Sequence, residues 1–322
     1  TSGVPFPRGA LGSVRNVRLL DAAGKAVPLQ AAVTGRWSDR SVKWLLLDFR
    51  HSGGAADYTL EYGPAVQTPP APTPPPTPAE LGELVLTDAS GRQHAQALTD
   101  WTAEESGALR DCLKCSGRIG QAPFAYEVRA HVYPGLPWVR VLLTTGHGES
   151  KDEFTTLRNL AWRLPLAGRE RSVRQLRDDS FQSTDGGGKR FTGPVGAIHL
   201  RDFWLNYPKA VEVGPKGSTI WLMPPLAADE YAGLKGKHDE HKLFFWFALT
   251  DDGHEGGYRL RQGMTRTHEV WLGMDGKGPP LDRPLLAVAS LRWYARSGAL
   301  GELAVADPDR AVIREYDQKV AA

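Results

Sequence analysis

Turn residues cut this chain into short β-type segments over most of its length, and that punctuation leaves few folds open. Between residues 81 and 284 the segments ELVLTD, LRDCLKCSG, FAYEVRAHVY, WVRVLLTTG, LRNLAWRLPL, AIHLRDFWLNYPKAVEV, STIWLMPP, HKLFFWFALTD and GYRLRQGMTRTHEVWLGM are divided by YPGLP, DGGG, GPKGS, DDGHEGG and DGKGPP. Gly and Pro at such positions reverse the chain, because Gly tolerates positive φ and Pro locks φ at a negative value of about −65°. Many short strands with hardly a helical period among them predict a large antiparallel β-sandwich.

Residues 66–80, VQTPPAPTPPPTPAE, hold seven prolines. A proline offers no amide donor to a sheet, so this run predicts an extended, semi-rigid linker. Residues 1–65, with SVRNVRLLDAAGKAVPLQAAVTGRW, SVKWLLLDF and ADYTLEYG, predict a small β-barrel of their own. The pattern changes after Pro284, and residues 285–322 read as a linker with a helix over 308–319, capped by Asp307. The expected fold class is therefore all-β: a barrel at 1–65, a linker at 66–80, a sandwich at 81–284 and a short C-terminal helical segment.

Composition narrows the function classes. Thirty-nine Lys and Arg against 37 Asp and Glu give a net charge of +2, with the two signs interspersed along 322 residues. That balance leaves no footprint for nucleic acid, and no apolar run approaches the ~20 residues of a membrane-spanning helix. The first residues, TSGVPFPRGALG, lack the basic and apolar regions of a signal peptide. Walker A, GxSxG, GxGxxG, HExxH and EF-hand signatures are all missing. Cys112 and Cys115 form a CxxC, but in a strand residues three apart point to opposite faces, so two unpaired thiols are expected rather than a redox pair or half a zinc site. His238 and His241 flank Asp239 and Glu240 in a charged segment that reads as a solvated loop. Asp251, Asp252 and Glu255 would suit calcium, although an acidic glycine-rich turn looks the same without an ion.

Two segments concentrate chemistry. In HLRDFWLNYPKAVEV, read as one unbroken strand, His199, Arg201, Phe203, Leu205, Tyr207 and Lys209 share a face, with Asp202, Trp204 and Asn206 behind. In GMTRTHEVWLGM, Arg266 and His268 project together, opposite Thr265, Thr267, Glu269 and Trp271. Cations, a phenol, an imidazole and indoles suit an acidic sugar, since rings cover its apolar face and Arg or Lys meets its carboxylate. A sheet face with long polar chains reaching water reads the same way from pattern alone.

GVPFPRGAL and TGRWSDRSVKWLLLDF resemble the opening RIFT barrel of the exo-acting rhamnogalacturonan lyase and YetA-like proteins. RDFWLNYPKAVEV, WLMPP and GMTRTHEVWL resemble their central β-sandwich, and LLAVASLRWYARSGALGEL the passage into their third domain, an α/α toroid. Of that toroid only a candidate first helix is expected within these residues, which leaves three readings open: a truncated chain, a fragment of a longer product that is inactive alone, or a protein that has lost activity. The resemblance implies a polysaccharide lyase that cleaves a uronate-containing glycan by β-elimination, outside the cytoplasm, with neither nucleic acid nor membrane as partner.

In β-elimination a base removes the proton at C5, a cation or donor holds the carboxylate on which charge gathers, and the C4 oxygen leaves. On the family-like motifs Tyr207 and His268 are the expected proton carriers. Arg201, Lys209 and Arg266 are the expected carboxylate partners, with Trp204 and His199 as platform and support, and no metal ligand is assigned among them. Arg36, Trp37, Asp39, Lys43 and Trp44 form the densest motif of the barrel and read as architecture, a strand buried on both faces. Two other readings remain: a non-catalytic carbohydrate-binding or docking module, and a glycoside hydrolase with Asp202 and Glu269 as its carboxylates.

Overall fold

The computed structural model describes residues 1–51, 56–68, 80–148, 152–177, 180–189, 191–205, 208–225, 257–277 and 287–303. The proline run from 69, His238, His241, Asp251, Asp252, Glu255, Tyr207 and the 308–319 helix lie outside the described residues. The chain is all-β, with one short α-helix among the described residues. It divides into two compact units. One comprises Thr1–Pro74, Gly107–Leu109 and Arg283–Ala322; the other comprises Pro75–Ser106 and Arg110–Asp282.

The first unit holds two three-stranded antiparallel sheets. Val42–Phe49 lies between Ser2–Pro5 and Leu29–Arg36, and Val17–Leu20 lies between Ala26–Val27 and Thr59–Tyr62. Phe6, Leu11, Val17, Leu19, Leu29, Val42, Leu45 and Leu47 fill the space they enclose. Trp37 donates its indole N–H to the Phe6 carbonyl at 2.9 Å and carries the Lys43 ammonium over its ring at 4.6 Å. Asp39 accepts from both the amide and the hydroxyl of Ser41. The motif is thus structural, but its strand is not buried on both faces. Leu45 and Leu47 enter the core, while Trp44 and Leu46 remain half-buried.

A helix at Leu291–Ser297 belongs to this unit, in a stretch that pattern alone leaves as linker. Ser290 caps its first turn through Trp293 N, and Gly298 ends it in the left-handed region at φ 63°. Its purchase is Trp293, which donates to the Pro5 carbonyl at 2.6 Å and packs edge-on against Phe6 and Tyr62.

The second unit contains two large antiparallel sheets. The six-stranded sheet runs Ile198–Leu200, Thr265–Gly273, Trp138–His147, Phe124–Val132, Asp111–Arg118 and Thr102–Glu105. The nine-stranded sheet runs Gly186–Lys189, Ser180–Ser183, Arg171–Arg177, Ala210–Gly214, Gly217–Met223, Phe154–Leu164, Glu83–Asp88 and Gln93–Ala97, with Tyr258–Arg261 also paired to Phe154–Leu164. One core joins them, with Phe124, Val128, Val141, Leu143 and Val270 from the first and Leu84, Leu86, Leu160, Trp162 and Ile220 from the second. This is the β-sandwich that the alternating segments predict.

The CxxC behaves as strand geometry requires. Cys115 enters the core, whereas Cys112 lies on the other face beside Glu104, and both are buried free thiols. Burial, reinforced by the Glu104 carboxylate, pushes the Cys112 thiol up to about 11. Neither is poised as a thiolate.

Candidate functional site

The segment 199–213 is not one strand. Its first part, Ile198–Leu200, pairs with Thr265–Gly273 in the six-stranded sheet, and its last, Ala210–Gly214, lies in the nine-stranded sheet. Between them the chain turns: Arg201 N donates to Glu269 O at 3.0 Å, Asp202 adopts φ 50°, and Leu205 N returns to Asp202 O at 2.8 Å. Crossing between sheets breaks the alternation, so the single face expected for His199, Arg201, Phe203, Leu205 and Lys209 does not form. His199 and Arg201 turn to the outer side of the six-stranded sheet, while Phe203 and Lys209 turn inward.

The outer group is self-contained. Glu269 accepts from Arg140 at 2.9 Å, from Arg201 at 3.0 Å and from the Trp271 indole at 3.0 Å. Burial raises the carboxyl of Glu269, but the bonds from Arg140 and Trp271 outweigh it and hold the group below its ordinary range. Trp271 stacks on Tyr133 with rings 6.1 Å apart, and His199 lies opposite Trp271 in register. Arg201 also lies 3.6 Å from the Asp202 carboxylate. Arg201 therefore already has its carboxylates and is a weaker choice for that of a substrate. The two acids of the hydrolase reading share this one guanidinium, and a carboxyl held low is poorly suited to act as general acid.

The inner group lies on the core side of the same sheet. On Thr265–Gly273 the alternation holds: His268, Val270 and Leu272 face the core, with Arg266 on the same side at the end of the row. His268 is 4 % exposed and lies across from Leu143; Arg266 lies across from Thr145. From the opposite sheet Lys209, 1 % exposed, donates to Asp202 O at 3.2 Å.

Desolvation, helped by the Arg266 charge and opposed by Asp202, brings the Lys209 ammonium down to about 7. Burial and the neighbouring Lys209 and Arg266 push His268 down to about 3, so its imidazole is neutral at physiological pH. Burial lowers Arg266 to about 10. Lys209, the Arg266 guanidinium and the neutral His268 imidazole are thus close enough to perturb one another, and Lys209 reaches the Arg201–Leu205 turn through the Asp202 carbonyl.

Gln175 completes the group and was not picked out by residue type. Its backbone N donates to Lys209 O at 2.9 Å, its side-chain amide donates to Trp204 O at 2.8 Å, and its Oε1 is buried without a hydrogen-bond partner. The signal was present in RSVRQLR, where alternation puts Gln175 on the same inward side as Val173. Trp204 enters through its carbonyl, half-buried, rather than as an open ring platform.

Of the expected site residues, the structure brings Lys209, Arg266 and His268 together and sends His199 and Arg201 to the other face. Among the described residues no cluster of three or more His, Cys, Asp or Glu could hold a metal ion.

Residues 1–61 match the family model of the PcRGLX-like N-terminal RIFT barrel domain. No curated protein matches the chain. The barrel match supports a rhamnogalacturonan lyase-like family coarsely, through that domain, and points to a carbohydrate-active protein.

Proposed function

We propose that this protein acts on uronate-containing glycans of the rhamnogalacturonan type by β-elimination, with the inner group of the sandwich as its chemical centre. The observation that carries the reading is Lys209, a buried amine bonded to the Asp202 carbonyl of the turn, whose ammonium burial and the Arg266 charge bring down toward neutrality. A base poised near the working pH maximises both its unprotonated fraction and its driving force. Lys209 Nζ takes the C5 proton, the electron pair forms the C4–C5 double bond, and the C4–O bond breaks with a proton passing to the leaving oxygen. Arg266 neutralises the carboxylate on which charge develops. His268, neutral throughout, is a positioning residue behind them. Tyr207, between the turn and Lys209 in sequence, is the proposed proton donor to the leaving oxygen.

Substrate reaches Lys209 by displacing the Arg201–Leu205 turn, which Gln175 and Lys209 hold through two carbonyls. A polymeric substrate places the protein outside the cytoplasm. The test is incubation of the intact protein with rhamnogalacturonan oligosaccharides. Ultraviolet absorbance of an unsaturated uronate is expected, and Lys209→Met should lower kcat/KM by ~100-fold or more. Reducing sugar without absorbance would replace elimination by hydrolysis, and binding without either product would make the protein a carbohydrate-binding module.

A further inference from the structure

We infer that the sandwich carries a second carbohydrate subsite, a recess that takes the carboxylate of one acidic sugar unit on Arg169 and Arg171. The inference rests on the acidic-glycan reading above, but on different residues. The recess has a volume of about 290 Å³, at the small end of the range for ligand sites and sufficient for one sugar ring. Its wall is mostly backbone and small side chains: Ala167, Gly168, Gly196, Ala197 and Gly276, backed by Val213. Gly196 sits at φ 58°, where a larger residue would be strained, and a Cβ on Gly168 would come within 2.8 Å of Val213. The chain is therefore held close on this side.

Two arginines, Arg169 and Arg171, line the recess. Arg110, Arg129, Arg140, Arg163, Arg201 and Arg261 of the same unit all lie against a carboxylate. Arg169 and Arg171 are exposed, line the recess, and have no ion pair or side-chain hydrogen bond among the described residues. Of the nearby acids, Glu170 is outside the lining and Asp275 is engaged with Lys277 N at 3.1 Å. Two free planar guanidinia beside a sugar-sized hollow match a carboxylate flanked by hydroxyls, since guanidinium meets carboxylate through paired hydrogen bonds and amides of the wall can meet hydroxyls. Arg171 and Gln175 belong to one strand, so the recess and the inner group lie toward opposite ends of it.

The test is calorimetric titration with trigalacturonate at fixed low ionic strength, with a neutral galacto-oligosaccharide as control. Two variants attack the recess differently. Arg169→Gln with Arg171→Gln removes its charge, and Ala167→Phe, at an exposed wall position, fills it. Each should weaken trigalacturonate binding at least ~10-fold, and the neutral sugar should bind far more weakly to the unaltered protein. Binding that survives either variant, equal binding of the neutral sugar, or no binding of trigalacturonate overturns the inference. Lys209→Met separates the two proposals: it should keep this binding while losing elimination. If Lys209→Met loses the binding and the arginine variant keeps it, the sugar sits at the inner group and the recess is not a subsite. If no unsaturated product forms but the recess variants still weaken binding, elimination fails and the subsite stands.

Discussion

Gln175 and Lys209 face each other across two neighbouring strands, the lysine carbonyl accepting the glutamine amide at 2.9 Å, and both side chains reach the carbonyls of one turn. The unpartnered Oε1 of Gln175 therefore lies on the side chain next to the lysine whose charge state decides the proposed chemistry. Gln175→Glu places a carboxylate there, which favours the charged ammonium and raises the Lys209 pKa. The alkaline-rising limb of kcat/KM, expected near pH 7 in the unaltered protein, should move up by at least about one pH unit. An unmoved limb in a folded variant would show that Lys209 is not the base.

Lys209 also predicts how stability follows pH. Its folded pKa, about 7, lies below the ordinary 10.5, so between those values the unfolded chain binds a proton that the folded chain does not. Stability thus rises with pH across that window, and the full cost of burying the charge is present below it. Arg266 and Asp202 are the charged neighbours that set this balance, and His268, neutral across the window, is the other titratable group near Lys209. Lys209→Met removes the dependence, so any stability difference between variant and unaltered protein should shift toward the unaltered protein from pH 7 to pH 10. Urea unfolding at several pH values measures it, and a constant difference would contradict the assignment.

His268 acts on the acid side. Its folded pKa of about 3 lies below the ordinary 6.5, so only the unfolded chain gains this proton as pH falls between the two, and stability falls with it. His268→Leu should flatten the loss of stability between pH 6.5 and 4, with the alkaline side unchanged. An acid-unfolding midpoint that does not move to lower pH would mean that other groups dominate there.

How much of this was legible in the residues depended on whether the alternation ran unbroken. On Thr265–Gly273 it did, and Arg266 and His268 fall on the predicted shared side. At 199–213 it did not, because a turn between two sheets changes which side each later residue faces, and nothing local in RDFWLNYP announces that a left-handed Asp202 does the turning. The partition of Arg201 from Lys209 follows from that one bend. Gln175 was hidden for another reason: a polar residue at an inward position stands out only once the strand and its partner are known. The helix carrying Trp293 escaped because its seven residues owe their place to tertiary packing, which a periodicity reading does not contain.

Gly82 marks where the sandwich tolerates no side chain. It has φ 68°, and a Cβ there would lie 1.9 Å from the Arg163 carbonyl oxygen, next to the strand whose Trp162 donates to Leu81 O at 2.7 Å. Both the backbone conformation and the contact oppose substitution. Gly82→Ala should cost about 3 kcal/mol and lower the melting midpoint by roughly 10 °C. A change under about 2 °C would mean that the entry to Glu83–Asp88 can shift freely.

Trp293 ties the C-terminal helix into the barrel core, and the tie has two parts. Its indole N–H satisfies the Pro5 carbonyl at 2.6 Å, and its ring meets Phe6 at 5.9 Å and Tyr62 at 5.7 Å. Phe6 is fully buried, so removing the indole opens the core beside it. Trp293→Ala should destabilise the barrel unit by about 3 kcal/mol, and Trp293→Phe by less, since it keeps ring packing but leaves the Pro5 carbonyl without its donor. Hydrogen exchange resolves the effect by unit: amides of Val42–Phe49 and Val17–Leu20 should lose protection while those of Phe154–Leu164 keep theirs. Equal loss in both sets would show that the barrel does not unfold as a separate unit.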